Sequence, residues 1–166
     1  MARIHYWELS NCNRGELIGK WFNLDDVTLE EHNEEIQEWL DELTESTGEL
    51  CEEWIVGDVE GVDEEYVGEW SIDDSYFEIM ELCKKSGIGE EAFMAGINCS
   101  LVPESIREAY QGKYDCDESF AIDYLESSGE LNSDNFLSRY FDTHSFSIDL
   151  MNDYIECDGH YFSTYC

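Results

Sequence analysis

Thr28-Leu-Glu-Glu-His-Asn-Glu-Glu-Ile-Gln-Glu-Trp-Leu-Asp-Glu-Leu-Thr-Glu45 is the stretch on which the fold of this chain turns. Leu29, Ile36, Leu40 and Leu43 recur at helical spacing, with His32 and Trp39 beside the stripe. Glu30, Glu31, Glu34, Glu35, Glu38, Asp41, Glu42 and Glu45 take most of the remaining positions. Thr28 and Glu31 form a T-x-x-E capping box, and Gly48 is placed to end the helix. The spacing predicts an amphipathic helix with a row of carboxylates on its wet face and a core under the other. It sits in a longer acidic tract, residues 21–83, which holds 23 Asp or Glu and neither Lys nor Arg.

Around this helix the pattern is β-like. Residues 4–9 and 53–59 are rich in aromatic and β-branched side chains. Residues 16–24 read as a further strand, with Gly19 as a possible bulge, and 10–15 as a turn-rich loop. Residues 1–61 thus read as a ββαβ unit. Residues 62–102 read as a small helical unit. Asp73, Asp74 and Ser75 precede a helix that runs to Cys83, Lys84 and Lys85 fall in its last turn, and Gly87 closes it. A short helix follows from Glu90 to Ala95, with Gly96 near its end. Residues 103–166 read as helices with a terminal hairpin. Pro103 suits the first turn of a helix reaching Tyr110 and ended by Gly112. Asp115, with Glu118 at N3, caps the next helix, which Gly129 stops. Helices over 133–141 and 144–151 come next, with Phe136, Leu137, Tyr140, Phe146, Ile148 and Leu150 as their apolar contacts, and Asp158-Gly159 turns a closing hairpin. The fold class expected is α+β, in three small subdomains.

Composition narrows function. Hydrophobic residues make up 42% of the 166, enough for a packed core. The 41 acids against 8 Lys plus Arg give a net charge of −33. Carboxylates about 7 Å apart repel by roughly 0.6 kcal/mol per pair even at water's dielectric, so a compact chain holding this charge has a use for it. Halophilic adaptation also enriches acids, but ten Tyr, eight Phe and five Trp weigh against it. The sign disfavours direct nucleic-acid binding and favours a basic partner. Duplex DNA carries one charge per ~1.7 Å of axis, so 33 charges match roughly 55 Å of duplex.

Seven scattered cysteines with no C-x-x-C pair favour reduced thiols over a disulfide framework or a zinc site. No signal-peptide pattern and no apolar run of membrane-spanning length occurs, so a cytoplasmic protein without a membrane partner is expected. Catalysis finds no support. His5, His32, His144 and His160 form no local ligand pair, and no phosphate loop, dinucleotide fingerprint or nucleophile elbow occurs. Asp115-Cys-Asp-Glu118 lacks the glycine and distal Glu of a calcium loop. No enzyme activity, cofactor or metal is expected. The informative groups are spread carboxylates: the eight of 28–45, then Asp63, Glu64, Glu65, Asp73, Asp74, Glu78 and Glu81, then Asp115, Asp117, Glu118, Asp123 and Glu126. One charged helix face is by itself usually a solvated face; it is the continuity of charge along the chain that points to a mimic of the nucleic-acid backbone.

Particular segments also resemble a known family. Asn13-Arg-Gly-Glu-Leu-Ile-Gly-Lys-Trp-Phe22 is similar to the N-x-G-x-L-x-G-x-W segment of the ArdA antirestriction proteins. Glu52-Glu-Trp-Ile-Val-Gly-Asp-Val-Glu-Gly61, Gly112-Lys-Tyr-Asp-Cys-Asp-Glu-Ser-Phe-Ala121, Tyr140-Phe-Asp-Thr-His-Ser-Phe-Ser-Ile-Asp-Leu150 and Gly159-His-Tyr-Phe162 resemble later segments in the family's order. Ser147-Ile148 and Cys116 depart from the family's pattern, and residues 62–102 match it only in acidity and helicity. The resemblance implies an elongated, curved, dimeric mimic of bent B-form DNA, carried on mobile elements of bacteria. It implies a partner, the Type I restriction–modification enzyme with its DNA-recognition and methylase subunits, whose groove the protein occupies. Restriction would be blocked more readily than modification. A regulator of some other basic DNA-binding protein is the alternative that composition leaves open. Phe141, Phe146 and Tyr154 are candidates for a dimer contact or for ordinary core.

Overall fold

The computed structural model describes residues 1–131 and 136–165, with the backbone alone at Leu137 and Arg139. The chain divides into two compact units, Met1–Glu81 and Leu82–Cys166. Both combine helices with a three-stranded antiparallel sheet.

In the first unit β1 (Arg3–Glu8) is the central strand, between β2 (Gly19–Asn23) and β3 (Trp54–Glu60). Its burial alternates without a break, with Ile4, Tyr6 and Glu8 inward. α2 (Leu29–Thr47) covers the inner face. Its buried residues are His32, Ile36, Trp39 and Leu40, and Phe22 of β2 meets the Trp39 ring at 5.6 Å. Both halves of the expected capping box form, and Gly48 ends the helix in the left-handed conformation (φ 71°) that glycine adopts at least cost. α3 (Asp74–Ser86) follows a short 3₁₀ turn at Glu64–Tyr66, with Asp73 Oδ1 accepting from the Ser75 amide at 2.9 Å. The division between units falls inside α3.

Two expectations for this unit change. The loop expected at 10–15 begins with a helical turn, α1 (Leu9–Asn13). The fully buried Glu8 carboxylate accepts from the amides of Ser10 and Asn11 and from Asn11 Nδ2, and so caps it. Burial works to raise the Glu8 pKa, but those donors reverse it and leave it below the ordinary carboxylate value. The β-bulge lies on β3 and not at Gly19: His5 pairs with Asp58 and Tyr6 with Val56, which leaves Gly57 as the extra residue.

His32 is a core residue. Its ring packs against Tyr6, Phe22 and Phe77, Nε2 lies 3.1 Å from the Tyr6 hydroxyl, and Nδ1 is buried without a hydrogen-bond partner. Burial lowers its pKa to about 4. Below pH ~6.5 the unfolded chain binds a proton there that the folded chain refuses. Stability from this group is therefore whole above pH ~6.5 and falls as pH drops toward 4, by about 3 kcal/mol in all. Protonation of surface carboxylates relieves repulsion and works in the opposite direction. Urea titrations of the unmodified protein and His32→Phe, compared between pH 7 and 4, isolate the histidine: the unmodified protein is expected to lose stability more steeply.

In the second unit the strand order is β4-β6-β5, with β4 at Tyr110–Lys113, β5 at Tyr154–Cys157 and β6 at His160–Ser163. The expected hairpin forms, and Asp158 (φ 51°) with Gly159 (φ 80°) makes the two-residue turn that needs positive φ at both positions. α4 (Glu90–Asn98) packs Gly96 against Ile106, where a Cβ would come within 2.9 Å of the Ile106 side chain. The helix expected from Pro103 to Tyr110 is shorter: a 3₁₀ turn at Pro103–Ser105 leads into α5 (Ile106–Ala109), and Tyr110 already belongs to β4. Gly112 (φ 140°) therefore does not end a helix; it lies in β4, at a register shift against β6. α6 (Asp117–Ser127) is preceded by Cys116 in extended conformation and has no side-chain cap, so Asp115 does not cap it. α7 (Thr143–Leu150) is capped by Asp142. Phe120, Ala121, Leu150 and Tyr161 form the core here, with Phe146 and Tyr154 packed against it. Phe141 remains exposed. The helix expected over 133–141 is a 3₁₀ turn at Phe136–Tyr140; its beginning at Ser133, the apolar contact expected of Leu137 and the thiol of Cys166 lie outside the described residues and side chains.

Cys99 and Cys157 are joined as a disulfide, which corrects the expectation of reduced thiols throughout. The two stand 58 residues apart in sequence, but the end of α4 and the end of β5 bring their Cα atoms to 6.2 Å, inside the range a disulfide bridges. Cys12, Cys51, Cys83 and Cys116 are free. No helix among the described residues is long and apolar enough to cross a membrane.

Candidate partner-binding surface

α2 sets the geometry of the acidic surface. Its capped start, apolar stripe and glycine end fix which side is wet, and all eight of its predicted carboxylates are exposed. From Glu30 to Glu45 the axis rises roughly 22 Å at ~1.5 Å per residue, or about one carboxylate per 3 Å, close to the ~3.4 Å phosphate spacing along one DNA strand. Asp26, Glu31, Glu34, Glu35 and Glu38 line an open recess of about 310 Å³. The last turn holds no basic residue. Glu45 therefore points an anion at the negative end of the helix dipole, a placement that costs about 0.3–1 kcal/mol. Folding alone gives no reason for it.

The other predicted acids of the first unit, Asp63, Glu64, Glu65, Asp73, Asp74, Glu78 and Glu81, are also exposed. Asp73 has a structural duty as well. Its bonds to the Ser75 hydroxyl and amide hold its pKa below the ordinary value.

The second unit separates acids that sequence treats alike. Asp115, Asp117, Asp123 and Glu126 are exposed and Glu118 is half-buried. Asp117 accepts from the Tyr161 hydroxyl at 2.7 Å and Asp123 from the Tyr114 hydroxyl at 2.7 Å. Burial first, then Asp123, pushes the Tyr114 hydroxyl up to about 12. Glu118 Oε1 lies 2.9 Å from His144 Nδ1, and that bond leads the causes that lower its pKa. These three acids brace α6 against the sheet and α7. They share an open recess of about 360 Å³ with Cys116 and Tyr161 only in part, since Asp123 lies outside its lining. Among the described residues no three His, Cys, Asp or Glu side chains are grouped to hold a metal ion.

Local cations neutralise other carboxylates. Arg3 Nε donates to Glu60 at 2.7 Å and Lys113 Nζ to Glu91 at 2.5 Å, while Arg14 pairs with Glu49. None of these pairs involves α2. The sequence model of the antirestriction protein (ArdA) family matches residues 8–163. The chain belongs to the ArdA family. The segments that resemble ArdA proteins fall within the matched span and reach across both units. ArdA proteins are antirestriction proteins. No curated protein matches the chain.

Two features of the surface are invisible in the pattern of acids. Asp26 belongs to the carboxylate recess although it precedes the helix. Glu8, by contrast, is an acid spent wholly on folding. The period-2 pattern of β1 was the one signal that could have placed it inward.

Proposed function

We propose that this chain is a noncatalytic DNA mimic that occupies the DNA-binding groove of Type I restriction–modification enzymes, on their DNA-recognition and methylase subunits, and so blocks restriction. Its carboxylates stand in for phosphates, chiefly those of α2, of residues 63–81 and of residues 115–126. It acts as a homodimer in the cytoplasm of a bacterial host, each chain built as three small subdomains, 1–61, 62–102 and 103–166. Membership of an antirestriction family supports the partner class. The observation that carries the mimic is α2 itself: eight exposed carboxylates at phosphate-like spacing, continued into a helix terminus that disfavours them. A groove that binds DNA presents Lys and Arg along its length, so a surface of this kind competes for it sterically and electrostatically.

The test is a competition titration. A Type I methylase is held on a labelled duplex containing its target, and this protein is added at two salt concentrations. Displacement near stoichiometry is expected, and it should weaken as salt rises. A folded protein that displaces nothing at large excess would rule out groove competition for that enzyme.

A further inference from the structure

The outer face of the β2-β1-β3 sheet differs from the rest of this acidic surface. Strand alternation turns Arg3, His5 and Trp7 outward. Trp21 lies across from His5 on β2, and Asp58 and Glu60 lie across from His5 and Arg3 on β3. Two glycines make room for the rings. A Cβ at Gly19 would stand 2.4 Å from His5 Cε1 and 2.7 Å from Trp7 Cε3, and one at Gly57 would stand 2.3 Å from Trp7 Nε1. The Trp7 indole therefore lies flat across the sheet, on backbone that carries no side chain at either end of the ring. The His5 ring is 4.4 Å from that of Trp7 and 5.2 Å from that of Trp21. Trp21 is 37% exposed, and Gly19, Gly57, Asp58 and Glu60 are exposed with it.

One end of this face already holds a guanidinium. Arg3 Cζ lies 4.4 Å over the Trp21 ring centroid while its Nε donates to Glu60. A ring beneath and a carboxylate beside it is an arrangement that suits arginine, whose planar, weakly hydrated group stacks and pairs at once. The other end repeats the composition, with the rings of Trp7 and His5 and the carboxylate of Asp58. We propose that Trp7, His5 and Asp58 form a seat for an arginine side chain of the basic partner. The proposal rests on the function proposed above, and its occupant is a guanidinium on the DNA-binding surface of the restriction enzyme. Charge favours that occupant: Asp58 and Glu60 rim the rings, and a chain of net charge −33 repels nucleic acid and attracts a basic partner. Salt screens exposed carboxylate pairs, whereas ring stacking persists in it. The α2 carboxylates then set most of the salt-dependent part of the affinity, and the Trp7 and His5 rings of this seat add a salt-independent part.

The test measures displacement of a Type I methylase from its duplex over a series of salt concentrations. Trp7→Leu is expected to weaken binding about tenfold at every salt, without changing the slope of log affinity against log salt. Asp58→Asn is exposed and leaves the ring floor intact, so it decides the matter if Trp7→Leu fails to fold; about threefold weakening is expected. Variants within twofold of the unmodified protein, or a change in slope alone, would overturn the seat. So would a change in sedimentation with affinity unaltered, which would assign the face to a second copy of the chain. If the unmodified protein displaces nothing, the groove reading falls and the seat with it; if it displaces the duplex and both variants do so equally well, only the seat falls.

Discussion

Replacing all eight α2 carboxylates by their amides is expected to make the protein more stable and to abolish its competition for the groove. The two effects have opposite signs because the charges that serve binding oppose folding. Five like-charge pairs lie four residues apart along the helix, Glu30–Glu34, Glu31–Glu35, Glu34–Glu38, Glu38–Glu42 and Asp41–Glu45. At about 0.2–0.5 kcal/mol each, removing them returns roughly 1–2.5 kcal/mol, while relief of Glu45 at the helix C-terminus is offset by the loss of Glu30 and Glu31 from the first turn. Gln at position 31 keeps the capping box. For binding, a DNA-like ligand that makes 6–10 phosphate contacts changes affinity by about 10³–10⁵ between 50 and 200 mM salt. Eight lost contacts should flatten that salt dependence, and at about 0.5 kcal/mol for each exposed ion pair they should weaken displacement by roughly 10³. A single Glu→Gln change, the loss of one exposed ion pair, should cost only about two- to threefold. Thermal melts and the competition titration read the two signs separately. An eight-site variant that melts higher yet competes as well as the unmodified protein would remove α2 from the interface. A single neutralisation that abolished competition with the fold intact would contradict a distributed mimic.

The contrast between α2 and α6 shows what kind of information the sequence carried. The eight carboxylates of α2 were legible because exposure follows from the period of its apolar stripe, and the cap residues that fix its start are local. Whether an acid of α6 is available or engaged depends instead on Tyr161, 44 residues from Asp117, and on His144, 26 residues from Glu118. The same distinction applies to the fold. The closing hairpin was legible from Asp158-Gly159 because its turn chemistry is local. Its third strand was not, because Tyr110 pairs with Phe162 and the segment before it begins with a proline that suits a helix. α1 was missed for a different reason: its cap is a buried Glu, a residue outside the usual cap preference, aimed inward by the strand it ends.

The Cys99–Cys157 link is the other feature with a large expected effect. β5 is an edge strand whose ladder partner among the described residues is β6, so the bridge to the end of α4 is a second anchor. For a loop of 58 residues, the chain-entropy estimate gives about 4 kcal/mol of stabilisation, acting through the unfolded state. Reducing the bond, or replacing both residues in Cys99→Ser/Cys157→Ser, should lower the stability of the Leu82–Cys166 unit by about that amount. Amide hydrogen exchange measures this unit by unit. The slowest amides of the β4-β6-β5 sheet are expected to exchange up to about 10³-fold faster in the reduced protein. Those of the β2-β1-β3 sheet should keep their rates, because no disulfide lies within Met1–Glu81 among the described residues. Exchange that stays unchanged in both units on full reduction would show that the packing around Phe120 and Tyr161 holds the second unit without the bridge. Acceleration in both units alike would show that the chain unfolds as one body, with the stability of the first unit tied to that of the second.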